Sequence, residues 1–397
     1  IANGVPHNNW DLLQARFIMN VGLVLEDNKA YADGKGREYY IDYVMNRSSI
    51  RQWSLTRLAE YGFDSKTGIW AECPGYSSVV INDYANFVNQ FDNNLRYDLV
   101  KAMPVLSKAV ATTPQYLFPN RMICGFGDTH PGYLNTNFFV RMIQNAQANG
   151  KKEQEDYFTA LLKCLNPGVG NEKAEKKNVR VSVNSFFEDK PLTLNPEVQA
   201  GKIEEYVSPL FHAPNVSWLV QRNGMDPRSS LMISQNGSEG NHMHANGISM
   251  ELYGKGYVLG PDAGIGLFLY SGLDYAEYYS QFPSHNTVCV DGISSYPVMK
   301  SNHSFDLLSC FPASAEPGKA FTSVTYSNLY FREPESRADQ TRMMSIVTTG
   351  AETGYYVDVF RSRKEKGGDK MHDYFYHNLG QTLTLTAAAV SYTHLTL

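Results

Sequence analysis

The sequence predicts a multidomain protein of mixed α and β class, in which a helical half precedes an antiparallel β-sandwich. Apolar residues recur at helical spacing up to about residue 166, and a charged, apolar-poor segment follows. Beyond it the period shortens to two. A chain of 397 residues is long enough for two domains and a large core without disulfide staples.

In the first half, Trp10, Leu12, Leu13, Phe17, Val21, Val24 and Leu25 fall on helical spacing behind a cap candidate at Asn8-Asn9. Further helices are expected around 37–62, 76–95, 97–111, 132–148 and 151–164, joined by loops that contain Gly and Pro. Serial helices without intervening strands favour an α-hairpin toroid or bundle over a βα alternation. Residues 167–180 read as a linker between a helical domain at 1–166 and a β-domain at 181–386. Strands are expected at 216–221, 230–235, 247–253, 257–259, 287–290, 343–349 and 354–361, with a hairpin turn at Gly254-Lys255-Gly256. Many short strands in series point to a sandwich. Residues 387–397 form a doubtful tail, and no function is placed on His394.

Composition excludes several classes. With 43% hydrophobic and 19% charged residues and a net charge of -5, the chain has no basic stripe to neutralise nucleic-acid phosphates. No apolar run approaches the roughly 20 residues of a membrane span. The 5 cysteines are scattered, and without a CxxC pair they indicate neither a thiolate metal site nor a disulfide framework. The 26 Tyr and 20 Phe suit half-buried sheet surface, or a carbohydrate cleft in which rings stack on sugar faces. The chain opens on Ile1 without an initiator Met or signal peptide and reads as a fragment or a processed chain.

The densest chemistry lies in Asn241-His242-Met243-His244, then Gly260-Pro261-Asp262, then Ser284-His285-Asn286-Thr287. Imidazole and carboxylate are standard zinc ligands when three or four converge from separate elements. Residues two apart on a strand share a face, which lets His242 and His244 look into one site. If three of the four groups bind metal, the remaining imidazole is free for acid–base work. An alternative is a zinc hydrolase, with His242, His244 and Asp262 or His285 around an activated water.

These residues, with the His285-Asn286-Thr287-Val288 run before Val290-Asp291-Gly292, resemble the heparinase II/III-like polysaccharide lyases. The resemblance extends from about Pro6 to about Gly380. It implies an incomplete α/α toroid followed by an antiparallel β-sandwich, and cleavage of uronate-containing glycans by β-elimination. It implies that His244, Asp262 and His285 hold one structural zinc ion and that His242 lines the catalytic cleft. The family normally has Asp where this chain has Asn246. The resemblance further implies an acidic polysaccharide partner (a glycosaminoglycan, alginate or another uronate polymer) and a periplasmic or secreted location. It leaves the oligomeric state open. A non-catalytic acidic-glycan-binding protein is a further alternative.

In the helical half, Pro6-His7-Asn8-Asn9-Trp10 resembles the family's Asn-containing helix start, where an amide engages the uronate. Asn9 is the preferred residue and Asn8 the neighbour, though either also serves as a simple cap. Several relatives have His after that Asn; here it is Trp10, a candidate sugar platform. Trp70-Ala71-Glu72-Cys73-Pro74-Gly75-Tyr76 resembles the family's Glu-x-x-x-Tyr stretch, which makes Tyr76 the expected base and acid. Tyr84 is a second-choice aromatic along the same helix. Phe126-Gly127-Asp128-Thr129-His130 is a Gly-framed polar turn, read chiefly as a loop. Tyr270, Tyr275, Tyr278 and Tyr279 crowd between Asp262 and His285, and Tyr270 is selected from them as the substrate contact.

Overall fold

The computed structural model describes residues 9–50, 52–168, 192–267, 273–292, 296, 299–314, 316–367, 371–380 and 382. Almost all of the expected linker, and the whole doubtful tail, lie outside the described residues. The first half is helical: α1 (Asn9–Val24), α2 (Arg37–Asn46), α3 (Leu55–Gly62), α4 (Pro74–Leu95), α5 (Leu99–Ala102), α6 (Val105–Thr112), α7 (Asn137–Ala148) and α8 (Lys152–Leu165).

Two expected helices are each divided, for local reasons. Between α2 and α3, Ser54 caps α3 by accepting from Arg57 N, while Ser48 Oγ accepts from Ser54 N. Serine side chains that bond nearby backbone offer an alternative to the helix. Between α5 and α6, Pro104 lacks the N–H that a continuous helix needs. Helix α4 starts with Pro74 in its first turn, where no N–H is missed, and ends at Arg96 in the left-handed conformation. Its buried side (Val80, Ile81, Tyr84, Phe87, Val88, Phe91) packs on Leu12, Ala15 and Met19 of α1 and on Phe138, Met142 and Ile143 of α7.

The second half is β: β1 (Leu210–Ala213), β2 (Trp218–Arg222), β3 (Met232–Asn236), β4 (Ser238–Asn241), β5 (Ser249–Gly254), β6 (Tyr257–Gly260), β7 (Val288–Val290), β8 (Lys300–His303), β9 (Asp306–Phe311), β10 (Val324–Arg332), β11 (Asp339–Gly350), β12 (Thr353–Arg363) and β13 (His372–Tyr374). One sheet has the order β1-β2-β3-β5-β6 and the other β12-β11-β10-β9, with two-stranded ribbons β13-β7 and β4-β8. All these pairings are antiparallel. The sheets face each other through Ile233, Met250 and Leu252 against Met344 and Ile346, and through Leu210 and Leu219 against Leu329 and Phe331.

The opposite face of the first sheet packs on the helical half. Trp218, Val220, Met232 and Tyr253 meet Tyr116, Phe118 and Phe126, with Trp218 stacked on Tyr116 at 5.0 Å between ring centroids. A sheet covered on both faces has no polar side, which explains why β2, β3 and β5 are buried at every position. Across this junction the fully buried Arg222 guanidinium donates to Gln115 Oε1 (2.8 Å), Gln115 O (2.9 Å) and Ser208 O (2.9 Å).

Candidate functional site

The site forms where the helical half meets the loop after β4. Two backbone bonds pin that loop from the helical side: Asn241 N donates to Ala71 O (2.9 Å) and Asp128 N donates to His242 O (2.9 Å). His242 itself sits at φ 57°, in the left-handed region that a non-glycine residue enters at a cost and that clusters at functional sites. Opposite it Gly127 has φ 63°, and a Cβ there would lie 2.5 Å from His242 O. Only glycine lets the two backbones approach so closely.

Tyr76 lies in the first turn of α4, and its ring stacks on the His242 imidazole with centroids 3.5 Å apart and planes 7° from parallel. Thr129 ties this helix start to the Asp128 loop, because Gly75 N donates to Thr129 Oγ1 at 3.1 Å. The Asp128 carboxylate is the hub. Its Oδ2 lies 2.7 Å from His242 Nδ1, and its Oδ1 lies 2.9 Å from His244 Nε2 and accepts from Tyr275 Oη at 2.6 Å. Burial alone would raise the carboxyl's pKa. The hydrogen bonds from His242 and His244, the His244 charge and the Tyr275 hydroxyl outweigh burial and hold the pKa below the ordinary value. Tyr275, in a π-helical turn (Tyr275–Tyr279), has its own pKa raised by burial and then by the Asp128 charge, so it remains a proton donor.

Behind this layer His244, Asp262 and His285 converge, each offering a ligand atom within 4.8 Å of the others. His285 Nδ1 bonds Asp262 Oδ2 at 2.8 Å, and Gly264 N donates to Asp262 Oδ1 at 2.9 Å. Burial would raise the Asp262 pKa, but the His285 charge and hydrogen bond, with His244, keep it lowered. His244 Nδ1 and His285 Nε2 are buried with no hydrogen-bond partner. Buried polar nitrogens are normally satisfied, so orphan nitrogens on two of the three clustered residues fit a metal ion held among them. Arg342, fully buried and paired with Asp358, fixes the neighbouring backbone by donating to Asn286 O (2.6 Å) and Ile248 O (2.9 Å).

Two further acids line the site from below. Glu72 forms an isolated parallel bridge with Asn241 and is only 1% exposed. Burial pushes its pKa up to about 7 against the lowering influence of the His242 charge and of the Trp70 and Asn241 side chains, neither of which reaches ideal hydrogen-bond geometry with it. Glu251 accepts from Gly125 N (2.8 Å) and Ser234 Oγ (3.2 Å), and burial and the Asp262 charge push its pKa up to about 8.

Of the sequence-selected residues, the structure thus brings Tyr76 to His242, and groups His244 with Asp262 and His285. Asn9 opens α1 half-buried, and none of the described contacts joins it to the Tyr76–His242 stack. Trp10 is 57% exposed. Asn8 and Tyr270 lie outside the described residues. Tyr84 is corrected: it is buried in the helical core with its hydroxyl on Leu55 O at 3.0 Å, and it lines no cleft. Asn246 is buried and donates to Asn236 Oδ1. Sequence reasoning placed Asp128 in a loop and missed its role as hub. The available signal was its position between Gly127 and Thr129, both of which the site uses.

Known proteins share this architecture. The family model "Endo-acting ulvan lyase 2nd domain" matches residues 66–206, and "Heparinase II/III-like, C-terminal" matches residues 207–357. An endo-acting ulvan lyase of Formosa agariphila is 24% identical over 420 residues, covering 96% of this chain and 48% of that protein. A solved heparinase III, the BT4657 gene product, superposes with a TM-score of 0.56 at 14% identity, over 90% of this chain and 46% of that one. The heparan sulfate lyase HepC from Pedobacter heparinus gives 0.55 at 14% identity, over 92% and 47%. The chain therefore spans about half the length of these relatives. The matched family models, the helices-then-sheets fold and the His-x-His, Asp, His order agree: residues 207–357 belong to the heparinase II/III-like C-terminal family, and the helical part before them matches the second domain of endo-acting ulvan lyase.

Proposed function

We propose that this protein is a polysaccharide lyase that cleaves a uronate-containing glycan by β-elimination. The observation that carries the reading is the Tyr76–His242 stack at the junction of the two halves, with His242 backed by Asp128. In the elimination the proton α to the uronate carboxylate leaves, the bond from the β-carbon to the glycosidic oxygen breaks, and a double bond forms between the two carbons. The departing oxygen takes up a proton, so one end becomes an unsaturated uronate and the other a hydroxyl.

Tyr76 acts as base and acid, taking the α-proton and returning one to the leaving oxygen. His242 assists. With Nδ1 turned to Asp128, its Nε2 is the second atom able to accept the proton. Charge that develops on the carboxylate needs a nearby donor, as an oxyanion does, and Asn9 is assigned to that task from its place at the start of α1. Trp10 supplies an exposed ring for a sugar face.

His244 through Nδ1, His285 through Nε2, and Asp262 would hold a zinc ion. When bound, the ion supplies structural cross-linking of the loops around His242. The three residues are buried, which suits a closed structural site and disfavours the hydrolase alternative, since a catalytic zinc keeps a position open to water or substrate. The names of the ulvan lyase and heparan sulfate lyase relatives support testing ulvan and heparan sulfate first. A polymeric substrate of this kind supports a periplasmic or extracellular location.

Ultraviolet absorbance of unsaturated uronate, measured on ulvan, glycosaminoglycans and alginate, tests the reading. A rise on one polymer that is lost in Tyr76→Phe supports it. No rise on any of them, together with reducing-end release by a metal-dependent route, overturns it in favour of hydrolysis.

A further inference from the structure

Two imidazoles with different tasks lean on one carboxylate. Asp128 is buried, and each of its oxygens lies within hydrogen-bond distance of an imidazole nitrogen, Oδ2 2.7 Å from His242 and Oδ1 2.9 Å from His244; a carboxylate accepts such bonds without donating any. The ring nitrogens that face it must therefore carry the protons. That fixes His242 with its proton on Nδ1 and His244 with its proton on Nε2. Residues two apart in sequence are thus held in opposite tautomers. The nitrogens left bare are His242 Nε2, on the side of the ring that Asp128 does not engage, and His244 Nδ1, buried without a partner among the metal-ligand candidates.

We propose that Asp128 is a positioning residue that sets both tautomers and so couples metal affinity to the readiness of the base. The inference rests on the lyase reading only in taking His242 as a proton acceptor. Its physical content is a linkage. Asp128 comes from the helical half, while both histidines come from the loop between β4 and β5. The bond from Asp128 N to His242 O (2.9 Å) and the close approach of Gly127 make the loop and the carboxylate one unit. A shift that frees one imidazole frees the other.

A metal ligand whose other nitrogen donates to a carboxylate is held in place and made more basic, and loss of such a partner typically costs about 10–100-fold in metal affinity or activity. Both bonds draw on one carboxylate, so a change at the Asp128–His244 bond is felt at the Asp128–His242 bond, and the coupling has the same size read from either side. Tyr275, the third donor, holds the carboxylate's Oδ1 in place from the β side.

The test uses the full chain labelled with ¹⁵N-histidine, at a pH about two units above the ordinary imidazole value near 6.5. Two-bond nitrogen–proton spectra identify each ring, with His242→Gln and His244→Gln supplying the assignments. The expected result is a protonated Nδ1 on His242 and a protonated Nε2 on His244. Asp128→Asn is expected to weaken zinc binding by about 10–100-fold and to lower kcat by a similar factor with KM little changed.

A His242 ring with its proton on Nε2 alone, or unchanged zinc affinity in Asp128→Asn, overturns the proposal. If Asp128→Asn does not fold, the wild-type tautomers decide. Failure of the wild type to cleave any polymer would count against the lyase reading, whereas the tautomers and zinc affinity would still judge the role of Asp128.

Discussion

Replacing Glu72 by Gln is expected to stabilise the protein in alkaline solution and to leave it almost unchanged in acid. The Glu72 carboxyl is buried, and its pKa is pushed from 4.5 to about 7, mostly by that burial. In the fold the group keeps a proton that the unfolded chain releases above its ordinary value. The native state therefore binds more protons between those two pKa values, and stability falls as pH rises through that window. The loss begins near pH 4.5 and is complete above about 7. A difference of about 2.5 units at 1.36 kcal/mol each amounts to roughly 3 kcal/mol. Gln has nearly the same shape and carries no charge, so it removes that penalty.

Paired urea denaturation of wild type and Glu72→Gln at pH values below and above the window measures the effect, because groups common to both proteins cancel in the difference. The difference should approach zero at the acid end and reach a gain of about 3 kcal/mol at the alkaline end, on the order of 3–4 °C in Tm for a chain of 397 residues. A difference independent of pH, or a loss at alkaline pH, would refute the reasoning. In that case His242, Trp70 and Asn241 would stabilise the buried carboxylate by more than burial penalises it.

Arg222→Met should cost about 3–5 kcal/mol of stability by urea denaturation, because it keeps the volume but leaves Gln115 O and Ser208 O without the guanidinium in a dry junction and leaves Gln115 Oε1 with only Ser208 N. Gly127→Ala should lower Tm and reduce lyase turnover together, since the new methyl would meet His242 O at 2.5 Å. Zinc added to metal-free protein should raise Tm, by about 3 kcal/mol of stability at a hundredfold excess over Kd, and His285→Ala should abolish the rise. A thermal melt with no zinc response would remove the metal assignment.

Much of the architecture could be read from the chain because its signals are local. Pro, Gly and Ser mark the helix ends, and the central strands each begin or centre on apolar residues between turn signals. Strand β10 escaped because its inward positions are Thr325, Ser327, Leu329 and Phe331, so half of the expected apolar alternation is polar. His244, Asp262 and His285 lie close enough in sequence to be read as one cluster. Asp128 does not: its bonded partners His242 and His244 are 114 and 116 residues away, and no spacing rule reaches across two domains. Tyr84 misled for a geometric reason. Eight residues along a helix rotate the side chain by about 80°, which turns it from the cleft that Tyr76 faces into the core. The tyrosines between Asp262 and His285 are too crowded for sequence to choose among them; Tyr275 bonds Asp128, while Tyr270 lies outside the described residues.

The two family models meet between residues 206 and 207, but the packing ignores that boundary. Tyr116, Phe118 and Phe126 on one side and Trp218, Met232 and Tyr253 on the other belong to a single apolar cluster. A chimera cut at the boundary, joining the helical part of one lyase to the sandwich of another, would mate two surfaces shaped for other partners. Recombination among these enzymes is therefore constrained by six aromatic and sulfur-bearing side chains that must travel together. Exchanges of substrate preference that preserve this set should yield soluble hybrids, and those that divide it should yield aggregates.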